Sequence, residues 1–487
     1  MGGSRRPSRK GTTQLSSNSD SEARRSALQK AERLRHLSET ERDLIRLANE
    51  PKFRRWLEQI QATGGCAHPI YLAGHTTTLD ADTGAVLRHY STLDEPGRRL
   101  ALRCRNRRNS VCEPCSRIHS GDTFHLVRAG LMGGKGTPAG VASHPRLFVT
   151  LTAPGFGAVH RGSRTGVDLC RPRRSAPTCT HGRPASCGKV HAPTDSIVGQ
   201  PLCAHCYDYT SHVLWHAKVG ELWNRSCRTI GRRLAAAAGI PQRGLPRHLR
   251  LSFAKVAEFQ KRGAIHLHAV IRIDGPEGPD SPPPSWATKS LLTTAVHSAL
   301  ESVEVTTPYA PRLGQYTCRW GSEIDVHPIG PHSRATVVSD EAVAAYVAKY
   351  VSKSVGDVGG VDYRITSARE IPALPVNAHI RALIGTCWRL GGIPELESLR
   401  LRLWAHSLGF RGHVLTKSRK YSTTYAALHA ARTAYRARNA DGHNLPATVI
   451  DSAWRYVGSG HTPAEAEIAA GIAAAAARER EIAMEES

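Results

Sequence analysis

The chain has 487 residues, more than one ordinary domain and enough to bury two or three separate cores. Its 66 lysines and arginines outnumber 41 aspartates and glutamates, and the resulting net charge of +25 favours a polyanionic partner. No run of about 18 apolar residues appears, and the start of the chain lacks the apolar core of a signal peptide, so a membrane-spanning or exported class is not expected. A cytoplasmic location follows as an expectation, in which the twelve cysteines serve as metal ligands or packed thiols rather than disulfides.

Residues 1–60 open with a Ser/Arg/Gly-rich tail, expected to be disordered, followed by a polar helix over 21–57. Residues 61–125 hold a first cysteine cluster, Cys104, Cys112 and Cys115, with Cys66 as the obvious fourth member. An α+β unit is expected over 144–435, starting with a strand at 147–154 and interrupted at 160–210 by a second cysteine group. That group holds Cys170, Cys179, Cys187, Cys203 and Cys206, with His181, His191 and His205 nearby. Its clearest part is Cys203-x2-Cys206, and Cys179 and Cys187 complete a tetrahedral set for Zn²⁺. Four thiolates at about 2.3 Å from zinc hold together a Pro/Gly/Arg-rich segment that has no core of its own. Cys227, Cys318 and Cys387 stand apart and read as packed thiols. A long helix over 212–238 follows the insertion.

Residues 249–259 and 263–273 read as two strands joined by Lys261-Arg262-Gly263. In the second strand His266 and His268 sit at i and i+2, so both project from one face. A three-residue hairpin loop closing on Gly263 pairs Glu258 with His266, and directly opposite residues have Cβ atoms about 5 Å apart. Glu258, His266 and His268 then form a two-histidine, one-carboxylate metal site. The plainer alternative is a half-buried strand that tolerates two histidines. After a Pro-rich linker at 275–284 come a helix and a strand at 323–329. The next helix, 343–353, stacks Tyr346 and Tyr350 one turn apart, with Lys349 and Lys353 repeating the spacing on a neighbouring face. Its plainer alternative is an amphipathic helix burying its tyrosine rings.

Residues 401–440 carry Arg402, Arg411, Lys417, Arg419, Lys420, Arg432, Arg436 and Arg438 and no acidic residue. Tyr421 and Tyr425 are interleaved among them, which reads as a DNA-contact segment with stacking faces for unpaired bases. A short strand at 412–416 falls in this segment, and the tail over 440–487 is expected to be helical. Gly133-Gly134-Lys135-Gly136 does not fit the G-x4-G-K-[ST] phosphate-binding loop, so no nucleotide-driven motor of its own is expected.

The order of three motifs carries a resemblance: the strand at 147–154, the His-hydrophobic-His run, and the helix with Tyr-x-x-Lys. Together they resemble the signature of HUH endonucleases that act as rolling-circle replication initiators. The closer likeness is to initiators of actinobacterial plasmids and integrative conjugative elements, supported by residues 201–209, 404–413 and 416–422 and spanning roughly 60–435. The resemblance implies an α+β fold with a central antiparallel sheet of about five strands and flanking helices, the strand of 147–154 lying beside the histidine strand. It implies a tyrosine attack on origin DNA, single-stranded or supercoiled, that leaves a free 3′-OH and a 5′-phosphotyrosyl link. His266 and His268 would hold Mg²⁺ or Mn²⁺, with Glu258 as third ligand. Tyr350 would be the nucleophile, Tyr346 a second nucleophile or a packed ring, and Lys353 and Lys349 contacts to phosphate or leaving group. Arg411, Lys417, Arg419 and Lys420 would bind DNA. A relaxase or transposase of the same chemistry, a non-catalytic zinc DNA-binding regulator and a zinc hydrolase remain as other readings.

Overall fold

The computed structural model describes residues 37–172, 178–330, 338–441 and 447–485. Residues 1–36, on which the expected disordered tail falls, lie outside them. The chain divides into two units, Met1–Cys104 with Leu445–Ser487, and Arg105–Asn444. No helix among the described residues is long and apolar enough to cross a membrane.

In the first unit the described part of the expected helix is broken in two, Glu39–Ala48 and Phe53–Ala62. Pro51 sits between them and disfavours a helical residue before it. A capping box fixes the start of the first helix: Ser38 accepts from the Glu41 N–H while Glu41 accepts from the Ser38 N–H. Strand Ile70–Asp80 pairs antiparallel with Val86–Ser91, with Leu100–Leu102 and, along its whole length, with Thr448–Ser459. The segment after 440 is therefore no helical appendage. Its helix, Pro463–Glu485, follows a strand that completes the sheet begun some hundreds of residues earlier. Trp56, Ile60, Tyr71, Ala101 and Ala469 form the core of this unit.

The second unit runs α1 (Glu113–Met132), β1 (Arg146–Leu151), α2 (Tyr209–Ala237), β2 (Arg250–Phe259), β3 (Ile265–Asp274), α3 (Lys289–Ser302), β4 (Glu304–Thr306), β5 (Thr317–Arg319) and β6 (Ile324–Gly330). It continues with β7 (Val338–Ser339), α4 (Asp340–Val351), α5 (Ala378–Leu390), β8 (Leu415–Lys417) and α6 (Tyr425–Asp441). Six strands form one sheet in the order β7-β6-β1-β3-β2-β8, antiparallel except for the two-residue parallel pair β7/β6. The strand of residues 147–154 lies beside the histidine strand, as β1 beside β3.

Alternation along β3 decides which side chains meet. Ile265, Leu267, Ala269, Ile271 and Ile273 enter the larger core, under α2, α3 and α5. His266, His268, Val270, Arg272 and Asp274 therefore face the other way, where Val270 joins Phe148, Ala254, Val256 and the apolar stripe of α4 (Val343, Ala344, Val347, Val351). Helix α4 is started by the Ser339 hydroxyl, which accepts from the Ala342 N–H, and anchored by a buried ion pair of Asp340 with Arg146 at 2.7 Å.

At the far end of that face Asp274 sits in a buried polar network. It accepts from Arg272 at 2.6 and 2.9 Å and from the Ser252 hydroxyl at 2.6 Å, and lies 2.8 Å from His144 Nδ1. Burial pushes the carboxyl up, but these partners outweigh it and hold Asp274 below its ordinary value.

Candidate metal and tyrosine site

The β2–β3 hairpin closes through Gln260 N–H to the Ala264 carbonyl at 2.8 Å and Gly263 N–H to the Gln260 carbonyl at 2.7 Å. Gly263 takes φ +75°, a left-handed conformation that costs glycine nothing and other residues strain. The register that results sets Glu258 opposite His266 and Val256 opposite His268. One ligand atom from each of Glu258, His266 and His268 lies within 4.8 Å of the others. His268 Nε2 is 3.2 Å from Glu258 Oε2, and on β1 Thr150 Oγ1 is 3.2 Å from His268 Nδ1. Thr150 thus orients the ring so that Nε2 faces the carboxylate, a role that composition gave no reason to assign.

The electrostatics are set by burial and one lysine. Lys353, just past the end of α4, donates to Glu258 Oε1 at 3.0 Å. Burial raises the Glu258 carboxyl, yet hydrogen bonds from His268 and Lys353 leave it below its ordinary value, hence ionised. Burial and then the neighbouring His268 depress His266 to about 4, so its imidazole is neutral with a lone pair to offer. Among the described residues His266 Nε2 is buried with no hydrogen-bond partner. An orphaned imidazole nitrogen, a second imidazole and a carboxylate form a donor set that suits a divalent cation.

Helix α4 lays both tyrosines over this set. The Tyr350 ring is stacked on His268 with centroids 5.3 Å apart, and Tyr346 meets it edge-on at 4.9 Å. The two tyrosine rings are 4.7 Å apart, and Lys353 Nζ lies 4.3 Å from the Tyr350 centroid. Lys349 is exposed, 5.9 Å from the same ring. Burial, then the Tyr350 hydroxyl, holds the Tyr346 phenol above its ordinary value, with Arg164 pulling weakly the other way.

The cysteines of the insertion group differently from the expected set. Cys179, Cys203 and Cys206 do converge, but their fourth partner is His181. Cys187 belongs instead with His160, Cys170 and His191. The reason is a two-way backbone bridge, Arg171 N–H to the Cys187 carbonyl at 2.9 Å and Cys187 N–H to the Arg171 carbonyl at 2.8 Å, which carries Cys187 to the side of Cys170. The spacings Cys179-x-His181 and Cys187-x3-His191 were the signal that counting thiols alone passed over. Cys66 and Cys104 fall in the first unit, where the Cys104 N–H donates to Cys66 Sγ at 3.3 Å. Cys112, the N-cap of α1, and Cys115 in its first turn fall in the second. Cys318 and Cys387 are buried thiols and Cys227 is half-buried, as packed side chains should be.

The basic segment is less open than its composition suggests. Lys417 is half-buried and donates to the carbonyls of Arg419 and Ser422 at 3.3 and 3.0 Å, and Lys420 to that of Glu277 at 2.7 Å. Arg411 donates to the Ser398 carbonyl at 2.9 Å from an exposed position, and Arg419 is exposed. Arg402 packs on Trp388, and Arg432 pairs with the buried Asp122. Arg436 and Arg438 lie outside the residues whose side chains are described. Tyr421 offers no stacking face: it is wholly buried, donating to the Val127 carbonyl at 3.2 Å beneath Arg272. Tyr425 is stacked on His119, 4.7 Å away, with its hydroxyl 2.7 Å from that of Thr123.

Proteins that start DNA replication are the class to which the chain's relatives point. Residues 52–474 match the family described as "Replication initiator protein, pSAM2" (RepSA), and the chain belongs to that family. A "Replication initiator protein" of Streptomyces ambofaciens is 45% identical over 453 residues, covering 91% of this chain and 95% of the relative. No solved structure matches the chain.

Proposed function

We propose that this protein starts replication of a plasmid or integrated element by nicking one strand of origin DNA, as a rolling-circle initiator of the HUH endonuclease type. One observation carries the reading: Glu258, His266 and His268 converge within 4.8 Å beneath two tyrosines and a lysine of one helix end. Mg²⁺ or Mn²⁺, held by the two imidazoles and the carboxylate, would polarise the scissile phosphate.

The chain's own residues do the rest. A tyrosine oxygen attacks phosphorus, the bond to the 3′ oxygen breaks, and the products are a free 3′-OH and a 5′-phosphotyrosyl link. We assign the attack to Tyr350, the ring nearer Lys353 and parallel to His268. Tyr346 is the second hydroxyl, 4.7 Å away ring to ring and available for a later transfer. Lys353 tethers Glu258 and lies over the Tyr350 ring, while exposed Lys349 meets the phosphate backbone. Arg411 and Arg419 extend the DNA contact, with Lys417 and Lys420 shaping the loop that presents them. The thiol groups serve structural Zn²⁺, the Cys66/Cys104 and Cys112/Cys115 pairs each capable of half a tetrahedral set. Strand separation beyond the nick belongs to a host helicase.

The test is incubation of the full chain with labelled single-stranded origin DNA, with and without Mn²⁺, followed by a denaturing gel and protease treatment. A metal-dependent nick whose 5′ product stays attached to protein is expected, lost in Tyr350→Phe. Binding without cleavage or adduct across origins and metals, with Tyr346→Phe/Tyr350→Phe binding as well as the natural chain, would leave a DNA-binding regulator.

A further inference from the structure

The segment between β1 and α2 is long, irregular and without a core of its own. Over residues 152–208 the described backbone has only isolated bridges, and Val167, Leu169, Val190 and Ile197 are exposed. Loops longer than about 15 residues are uncommon in compact domains unless something else orders them. We propose that two structural Zn²⁺ ions order it, one held by His160, Cys170, Cys187 and His191, the other by Cys179, His181, Cys203 and Cys206.

Geometry carries the assignment. In each tetrad the four ligand atoms lie within 4.8 Å of one another. Zinc bonds of about 2.3 Å to sulfur and 2.05 Å to nitrogen give a tetrahedral S···N edge of about 3.6 Å. The edges present are Cys170 Sγ to His160 Nδ1 at 3.6 Å, Cys187 Sγ to His191 Nε2 at 3.4 Å and Cys206 Sγ to His181 Nδ1 at 3.2 Å. The Arg161 N–H donates to Cys170 Sγ at 3.2 Å, the kind of contact that stabilises a thiolate. Soft sulfur and imidazole donors in fours select zinc over Mg²⁺ or Ca²⁺. The two sets alternate along the chain: the first spans 160 to 191 and the second 179 to 206, so each ion closes a loop through which the other set's residues run.

The module also touches the metal hairpin. Gly199, at φ +91°, lies against the turn so closely that an added Cβ would stand 2.4 Å from the Lys261 carbonyl carbon. The zinc proposal does not rest on the nicking reading, and its readout is metal content.

The experiment measures zinc per full-length chain by atomic emission, for the natural protein and for Cys170→Ser/Cys187→Ser, Cys179→Ser/Cys203→Ser and the quadruple variant. The expected losses are one, one and two equivalents, a difference in which zinc bound elsewhere cancels. Unchanged zinc in the first variant overturns the proposal, as does a first variant that loses the same ion as the second. Should the variants misfold, Co²⁺ titration of metal-stripped Cys66→Ser/Cys112→Ser, which breaks both thiol pairs outside the two tetrads, is the second measurement. Two distinct thiolate-to-cobalt bands, removed on adding Zn²⁺, are expected from a two-thiolate and a three-thiolate site. Absence of any such band overturns it.

Discussion

The β2–β3 hairpin and the insertion before α2 both gather ligand-type side chains within 4.8 Å, and they do so by opposite means. In the hairpin a ten-residue ladder fixes every side chain before any ion arrives, and buried sheet cores flank it on both faces. In the insertion the described backbone makes isolated bridges and scattered hydrogen bonds rather than a regular ladder, and the ligand side chains cluster across them. A site used for chemistry gains from rigidity that does not depend on its cargo, because the metal then comes and goes without a change of fold. A site used for structure needs no such independence, since metal binding supplies folding free energy.

Chelation is the sharpest way to separate the two. Stripping metal with a strong chelator is expected to open residues 160–206 to limited proteolysis while residues 250–274 stay protected; equal protection in both would erase the distinction. The next largest effect should come from Asp274→Ala, which leaves Arg272 buried without its partner. A loss of about 3–5 kcal/mol in denaturant unfolding is expected, because the hairpin's far end depends on that network.

Lys255 tests the sheet by pH. It is buried on β2 beside the Trp223 ring, and desolvation lowers it to about 8 from 10.5, with Cys227 opposing weakly. Below pH 8 both folded and unfolded chains carry the proton, and folding bears the full cost of burying the charge. Between pH 8 and 10.5 only the unfolded chain keeps it, so the natural protein gains stability as pH rises. Lys255→Met should be more stable by about 2–3 kcal/mol at pH 7, an advantage that shrinks towards pH 10.5. The smallest effect is at Thr150, which touches His268 Nδ1. Thr150→Val should weaken Mn²⁺ binding about 10–100-fold by calorimetry with stability little changed. An unaltered affinity would reduce Thr150 to packing.

What could be read from the residues was local. The loop length and Gly263 determine the hairpin register, and alternation then aligns His266, His268 and Glu258 without reference to the rest of the chain. The i,i+4 spacing likewise places Tyr346 and Tyr350 together, though only tertiary packing brings α4 over β3. The approach of Cys187 to Cys170 was not legible, because a single bridge in an irregular segment has no period to betray it. Tyr421 looked like a stacking face among cations, yet those cations include ones that turn inward to carbonyls, and its ring fills space beneath Arg272. The strand Thr448–Ser459 escaped notice because its partner, Ile70–Asp80, lies near the other end of the sequence.

That distant pairing imposes an order on biosynthesis. The strand Ile70–Asp80 leaves the ribosome early, but its full-length neighbour is translated only after the whole of Arg105–Asn444. At about 5–20 residues per second the wait is on the order of tens of seconds. Through that interval one long edge of the nascent sheet stays without its partner, open to chaperones or to a strand from another chain. A premature stop after Asn444 but before Thr448 therefore leaves the second unit fully translated and the first permanently without a strand.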